Sequence, residues 1–122
     1  MEFDYIFSKD LRRMSPINWT PVNVAIAAAK LLAKDERSKV LDVGSDAGKF
    51  CLIGAVTRPG QFFGIEQRLN LLTEAQKIQS FYGIANLTFM HGNGMEIDWE
   101  PYNAFYFFNP FLENIPGFNT IG

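Results

Sequence analysis

The sequence is poor in the residues that build disulfides and most metal sites. Its 122 residues include one cysteine, Cys51, and one histidine, His91. A single cysteine cannot form an intrachain disulfide, and these two residues are too few for a zinc site of cysteine and histidine ligands. We therefore expect an intracellular, cytoplasmic protein that binds no metal.

The sequence also lacks an excess of one charge and any long apolar run. Eleven Lys and Arg residues stand against thirteen Asp and Glu residues, so the net charge is −2 and no pooled positive charge indicates nucleic acid. No stretch reaches the roughly 18 apolar residues of a membrane helix, and Met1–Asp4 lack the basic start of a signal peptide. We expect neither secretion nor membrane insertion. The hydrophobic content of 48% instead predicts one folded globular domain.

Helical and strand-like patterns alternate along the chain after an irregular N-terminal segment, residues 1–20. Thr20-Pro21 resembles a helix N-cap followed by proline at the first helical position, so the main domain is predicted over residues 21–122. Within it the spacing of apolar residues predicts helices at 21–34, 49–57 and 70–82, and strands at 39–44, 61–66, 87–91 and 104–108.

This order of elements predicts an α/β fold with a mainly parallel sheet and helices on both faces. Ligands of such sheets bind beyond the carboxyl ends of the strands. Four chemically suggestive segments follow the predicted strands. They are the loop 42–48, Glu66, Gly92-Asn93 and Asn109-Pro110-Phe111.

The loop after the first strand reads Asp42-Val43-Gly44-Ser45-Asp46-Ala47-Gly48. It does not match the dinucleotide pattern GxGxxG, because Asp46 and Lys49 stand two and five positions after Gly44. It resembles the first motif of class I S-adenosylmethionine-dependent methyltransferases, in which an acidic residue precedes GxGxG. Asp42, Gly44 and Gly48 match this motif, and Asp46 departs from it.

The resemblance implies a Rossmann-like three-layer sandwich with strand order 3-2-1-4, incomplete relative to the seven strands of the family, and S-adenosyl-L-methionine as cofactor. It also implies a role for each segment. The loop residues Asp42, Gly44, Ser45, Asp46 and Gly48 would line the methionine and ribose region. Glu66, with Gln67 beside it, would hold the ribose, and Asn93, Gly94 and Met95 would contact the adenine.

The segment Phe107-Phe108-Asn109-Pro110-Phe111 resembles the [DN]PP[YF] motif of amino-group methyltransferases, with one proline missing. A somewhat similar asparagine-aromatic segment occurs in the non-SET histone lysine methyltransferases. The resemblance implies that Asn109 orients a nitrogen acceptor and that Phe111 stacks on a flat substrate. The acceptor would be a protein lysine or a nucleic-acid base. A plain turn that ends a strand is an equally good interpretation of the same residues.

Two departures from the family pattern lead to further expectations. Asp46 adds a Cβ and a negative charge near a cofactor that carries its own carboxylate, so we expect weaker cofactor binding. Only four of the seven family strands are found, which indicates a fragment or a homodimer joined at the exposed edge of the apolar fourth strand.

Two other functions remain open on the sequence alone. One is a non-catalytic module that binds a nucleoside or a partner protein. The other is an NAD-dependent oxidoreductase, which would share Glu66 but not the glycine spacing.

Overall fold

The structure, a computed structural model, describes residues 22–107, so the predicted segment 1–20 and the predicted acceptor residues Asn109 and Phe111 lie outside the described range. Helices and strands alternate, with bounds that match the sequence-based ones to within about two residues. The elements are α1 (Val22–Leu32), β1 (Lys39–Val43), α2 (Lys49–Thr57), β2 (Gln61–Glu66), α3 (Leu69–Tyr82), β3 (Leu87–His91), a 3₁₀ turn (Gly94–Glu96) and β4 (Ala104–Phe107). Among these residues no helix is long and apolar enough to cross a membrane.

The four strands form one parallel sheet in the order β3-β2-β1-β4. β1 lies between β2 and β4, and its residues 40–43 are all buried, as expected of a parallel strand that is covered on both faces. The structure thus confirms the predicted α/β fold class and the strand order 3-2-1-4.

Within residues 22–107 the three α-helices all pack on one face of this sheet. Their buried residues form a single core with those of one strand face, including Val40, Phe62, Leu87 and Phe89. The reason is that β1, β2 and β3 step across the sheet in one direction, so right-handed crossovers bring α2 and α3 to the same side.

The opposite face is covered by the connection between β3 and β4. Leu41, Val43 and Ile65 form a second buried cluster there, and Ile97 and Tyr102 from the connection pack against it. In the described residues this connection contains a 3₁₀ turn and no α-helix. Among residues 22–107, this irregular connection is what covers the second face, and the parallel topology is as predicted.

Candidate functional site

The glycine-rich loop between β1 and α2 folds over the carboxyl end of β2. The backbone N–H groups of Gly44 and Ser45 both donate to the carbonyl oxygen of Ile65, at 3.0 and 2.8 Å. Gly44, Asp46 and Gly48 adopt positive φ angles of 73°, 59° and 81°. Alternate residues in the left-handed region make the chain turn tightly from strand to helix.

The two glycines of this loop serve different purposes. A Cβ added at Gly44 would meet nothing within 4 Å, so this glycine leaves open space above the strand ends. A Cβ added at Gly48 would lie 2.7 Å from the Phe89 ring and 2.8 Å from the Ala75 Cβ. Gly48 is therefore required where α2 packs against α3 and β3, whereas Gly44 leaves room for a ligand.

Glu66 ends β2 directly beneath the loop, with only 3% of its surface exposed. Its Oε1 accepts a 2.7 Å hydrogen bond from the Asp46 backbone N–H, and its Oε2 accepts one of 3.0 Å from the Arg68 backbone N–H. Burial is the largest single influence on the Glu66 pKa and raises it. The hydrogen bonds from Arg68 and Asp46 lower the pKa, and their combined effect is larger than that of burial. The pKa of Glu66 therefore lies below its usual value and the carboxylate is ionised.

Arg68 completes this arrangement, and the sequence analysis missed it. Its Nε donates to Glu66 Oε2 at 2.8 Å, and its Nη2 lies 3.4 Å from Glu66 Oε1 and 3.0 Å from Asp46 Oδ1. The charge of Asp46, which we expected to repel the cofactor carboxylate, thus has a cationic partner. The sequence did contain a signal for this contact. Arg68 stands two positions after Glu66, the acid that ends a predicted strand, and Asp46 is a second acid in the loop after the neighbouring strand.

Asp42 lies at the end of β1, with 3% of its surface exposed. The Cys51 thiol donates to Asp42 Oδ2 at 3.6 Å. Burial raises the pKa of Asp42 to about 8, the thiol contact partly opposes this, and the charges of Asp46 and Glu66 add to it. Burial also raises the pKa of Cys51. Asp42 is therefore largely protonated near neutral pH, as part of a buried pair.

Ser45 is a second buried polar residue of the loop. It is 4% exposed, and its hydroxyl oxygen has no hydrogen-bond partner in the described structure. Its backbone N–H is already bonded to Ile65, so the hydroxyl is the group of Ser45 that remains for a further contact.

The loop after β3 adjoins Glu66 and Gln67. The Gly92 N–H donates to the Glu66 carbonyl oxygen at 2.9 Å, and a His91 ring nitrogen lies 3.0 Å from the Gln67 carbonyl oxygen. Asn93 Oδ1 accepts from the Met95 N–H at 2.9 Å. The structure therefore brings the ends of β1, β2 and β3 together, as the fold predicts.

Two further residues of the β3 loop have different surroundings. A Cβ at Gly94 would lie 2.6 Å from Val43 Cγ1, so Gly94 packs against the end of β1. Trp99 holds this turn in place, because its indole N–H donates to the Gly94 carbonyl oxygen at 2.6 Å. Met95 is 69% exposed, which leaves its side chain available to a flat ligand.

These residues fit a nucleoside-containing cofactor. Glu66 supplies a carboxylate that is bonded to Arg68 in this structure and whose two oxygens could accept from two hydroxyls if the guanidinium moved away, and the surroundings of Gly44 provide space beside it. Asn93 supplies an amide acceptor at the neighbouring strand end. Across residues 22–107, no group of three or more His, Cys, Asp or Glu side chains is arranged to hold a metal ion.

Several solved structures share this fold. An RNA methyltransferase from Salinibacter ruber, in complex with S-adenosyl-L-homocysteine, superposes with a TM-score of 0.68 at 27% identity, covering 73% of this chain and 59% of that protein. An rRNA methylase from Streptococcus thermophilus gives a TM-score of 0.60 at 17% identity, over 73% of this chain and 50% of that one. The tRNA (m1A58) methyltransferase TrmI from Aquifex aeolicus gives a TM-score of 0.59 at 16% identity, covering 66% of this chain and 33% of that protein. The chain thus spans about three fifths of the length of the S. ruber protein, and less of the other two.

Sequence comparison places the chain in a family. No curated protein matched it significantly. The protein-L-isoaspartate(D-aspartate) O-methyltransferase (PCMT) family matches residues 18–116, which is most of the chain. This match, together with the S-adenosyl-L-homocysteine complex of the S. ruber protein, confirms the predicted class I methyltransferase resemblance and the predicted cofactor, S-adenosylmethionine. The chain belongs to the PCMT family of S-adenosylmethionine-dependent methyltransferases.

Proposed function

We propose that this chain carries the cofactor site of an S-adenosylmethionine-dependent methyltransferase that transfers the methyl group to a nitrogen acceptor. The observation that carries the cofactor part of the proposal is the 2.7 Å hydrogen bond from the Asp46 N–H to Glu66 Oε1. It joins the glycine-rich loop to the acidic end of β2, so the two segments to which the resemblance assigns cofactor binding lie in contact.

Each segment of the site has a binding task in this proposal. Glu66 accepts from the ribose hydroxyls, Asn93 accepts from the adenine amino group, and Met95 packs on the adenine face. The loop 44–48 holds the methionine end. When bound, S-adenosylmethionine supplies a methyl group already activated by its sulfonium centre. The chain's own residues act by holding the cofactor and acceptor in line and by excluding water.

The nitrogen acceptor is inferred from Asn109-Pro110-Phe111, which lies beyond the described residues. In this proposal the Asn109 side chain accepts from the target amino group and Phe111 stacks on the substrate. An RNA base and a protein lysine both meet this requirement, and the S. ruber neighbour is an RNA methyltransferase. A protein carboxyl group is the second candidate, because the matching family consists of isoaspartate O-methyltransferases.

The first experiment is a calorimetric titration of the purified chain with S-adenosylhomocysteine, with NADH in parallel. Micromolar binding of S-adenosylhomocysteine alone supports the cofactor assignment. Binding of NADH alone would revive the oxidoreductase alternative. The absence of binding by either ligand would contradict the proposal for this chain.

The second experiment identifies the acceptor with methyl-labelled S-adenosylmethionine. RNA, a lysine-rich protein and an isoaspartyl peptide are offered as substrates, and the labelled products are treated with alkali. A methyl ester releases its label as methanol, whereas N-methyl, O-methyl ether and C-methyl groups are stable, so alkali-resistant label excludes a carboxyl acceptor. Mass spectrometry of the digested product then locates the methyl group, and a position on nitrogen supports the nitrogen acceptor. Asn109→Ala should then lower turnover at least about tenfold while cofactor affinity is retained. Asn23→Ala, an exposed asparagine in α1, is the matched control. Cofactor binding without transfer to any substrate would support the non-catalytic module.

A further inference from the structure

The hydrogen-bonding capacity of the Glu66 carboxylate is filled by the protein itself. Each of its oxygens accepts one backbone N–H, from Asp46 at Oε1 and from Arg68 at Oε2. Each then receives a second contact from the Arg68 guanidinium, at 3.4 Å from Nη2 and 2.8 Å from Nε. A carboxylate has about four acceptor positions, so a ribose has no free position on Glu66 while Arg68 is in place.

The guanidinium contacts Glu66 in the manner expected of a ribose. Nε and Nη2 present two N–H donors in a fixed fork, one to each carboxylate oxygen. A vicinal diol presents two O–H donors to the same pair of oxygens. We propose that the Arg68 guanidinium occupies the ribose-diol subsite on Glu66 until a nucleoside cofactor displaces it. We call this contact between the Arg68 guanidinium and the Glu66 carboxylate the latch. This inference rests on the function proposed above.

The surroundings of Arg68 allow such a displacement. Its side chain is 48% exposed, whereas the Glu66 side chain is 4% exposed, so the arginine is the member of the pair that can move. Its Nη2 also lies 3.0 Å from Asp46 Oδ1, so the cation keeps a carboxylate partner when it leaves Glu66. The two backbone N–H donors stay on Glu66 and keep its carboxylate oriented. Asp46, the residue that departs from the GxGxG pattern, thereby gains a role as the second anchor of Arg68.

The test compares two uncharged nucleosides that differ in the diol. Adenosine carries both ribose hydroxyls and 2′,3′-dideoxyadenosine carries neither, and neither has a charge that would respond to the loss of an arginine. Dissociation constants are measured at pH 8 for the wild-type chain and for Arg68→Met, which retains an unbranched apolar side chain. We expect Arg68→Met to bind adenosine about three- to tenfold more tightly, because the ribose no longer competes with an ion pair. The affinity for dideoxyadenosine should be unchanged.

Two variants make the result specific. Arg68→Lys keeps the charge but loses the two-donor fork, so it should tighten adenosine binding less than Arg68→Met does. Arg37→Met removes another arginine that pairs with an aspartate, Asp35 at 3.7 Å, before the start of β1 and far from the site. It should leave both affinities unchanged. Circular dichroism and urea unfolding verify that each variant is folded.

The outcomes separate the latch from the function on which it rests. Weaker or unchanged adenosine binding by Arg68→Met, or an equal change for both nucleosides, would overturn the latch while S-adenosylhomocysteine still binds the wild-type chain. If S-adenosylhomocysteine binds neither the wild-type chain nor the variants, the proposed function fails and the latch fails with it.

Discussion

At the scale of single residues, the buried Asp42 makes the stability of the fold depend on pH. The folded chain holds a proton on Asp42 up to a pKa of about 8, whereas the ordinary value is 3.8. Because the folded chain binds this proton more tightly, the contribution of Asp42 to the free energy of unfolding is fully present below pH 3.8, the ordinary pKa. It is lost as the pH rises through about 8, the pKa in the folded chain. We expect this contribution to fall by an amount on the order of a few kcal/mol between pH 4 and pH 9.

Asp42→Asn tests this prediction, because the amide resembles the protonated acid and does not titrate. Urea unfolding at pH 5, 7 and 9 should show that the variant gains stability relative to the wild-type chain as pH rises. Asp98→Asn changes an exposed aspartate in the β3–β4 connection and serves as the control. A constant difference between Asp42→Asn and the wild-type chain at all three pH values would contradict the prediction.

Asp46 is the non-glycine residue with a positive φ in the described chain, at 59°. Asp46→Gly and Asp46→Ala both remove the carboxylate that contacts Arg68, so their difference isolates the effect of a Cβ on the backbone. We expect Asp46→Ala to be about 1 kcal/mol less stable than Asp46→Gly by urea unfolding. Equal stabilities would show that the loop relaxes away from the left-handed conformation.

At the scale of elements, α2 is held by contacts on nearly all sides, since its residues 49–55 are all buried. Its N-terminus is fixed where Gly48 packs between Phe89 and Ala75. We expect Gly48→Ala to lower the free energy of unfolding by about 2–4 kcal/mol, because the added Cβ overlaps these side chains and the backbone is left-handed.

Gly44→Ala is the matched control for Gly48→Ala. Gly44 has a similar φ angle of 73°, but an added Cβ would have no neighbour within 4 Å. Its cost to stability should be about 1–2 kcal/mol, which is the backbone strain alone. Urea unfolding of both variants measures the difference, and a larger loss at Gly44 would contradict the packing argument.

At the scale of the whole molecule, β4 is the outer strand of the described sheet. Phe105 and Phe107 on this strand are 39% and 55% exposed, and Trp99 stacks on Phe105 at a centroid distance of 5.0 Å. We propose that two copies of the chain associate through this edge, because no strand within residues 22–107 pairs with its outer side and an apolar strand edge favours pairing.

Light scattering after size-exclusion chromatography should show a dimer for the wild-type chain. Phe107→Lys should shift the chain to a monomer at the same concentration, because a lysine on an edge strand disfavours pairing. Phe81→Lys changes a more exposed aromatic residue on α3, at 80% exposure, and should leave the dimer intact. A monomeric wild-type chain would refute the association.

The sequence by itself determined the elements, their order and the segments at the strand ends. Local patterns were sufficient because each element has its own periodicity, and several of them end at a glycine or proline, such as Gly44, Pro59 and Gly83. The motif resemblance placed Gly44 and Glu66 in one site, and the structure joins their segments through the Asp46 N–H and the Ile65 carbonyl oxygen.

Only the tertiary structure decided what each of these residues contacts. It showed that the Arg68 guanidinium contacts Glu66 and Asp46, and that the Cys51 thiol contacts Asp42. It also showed that Gly48 packs against neighbouring side chains, whereas Gly44 borders open space. It also showed that the described helices share one face of the sheet. These features depend on atoms that the fold brings together from separate elements, and on burial, which changes the pKa of a group. Neither property can be read from the local spacing of residues along the chain.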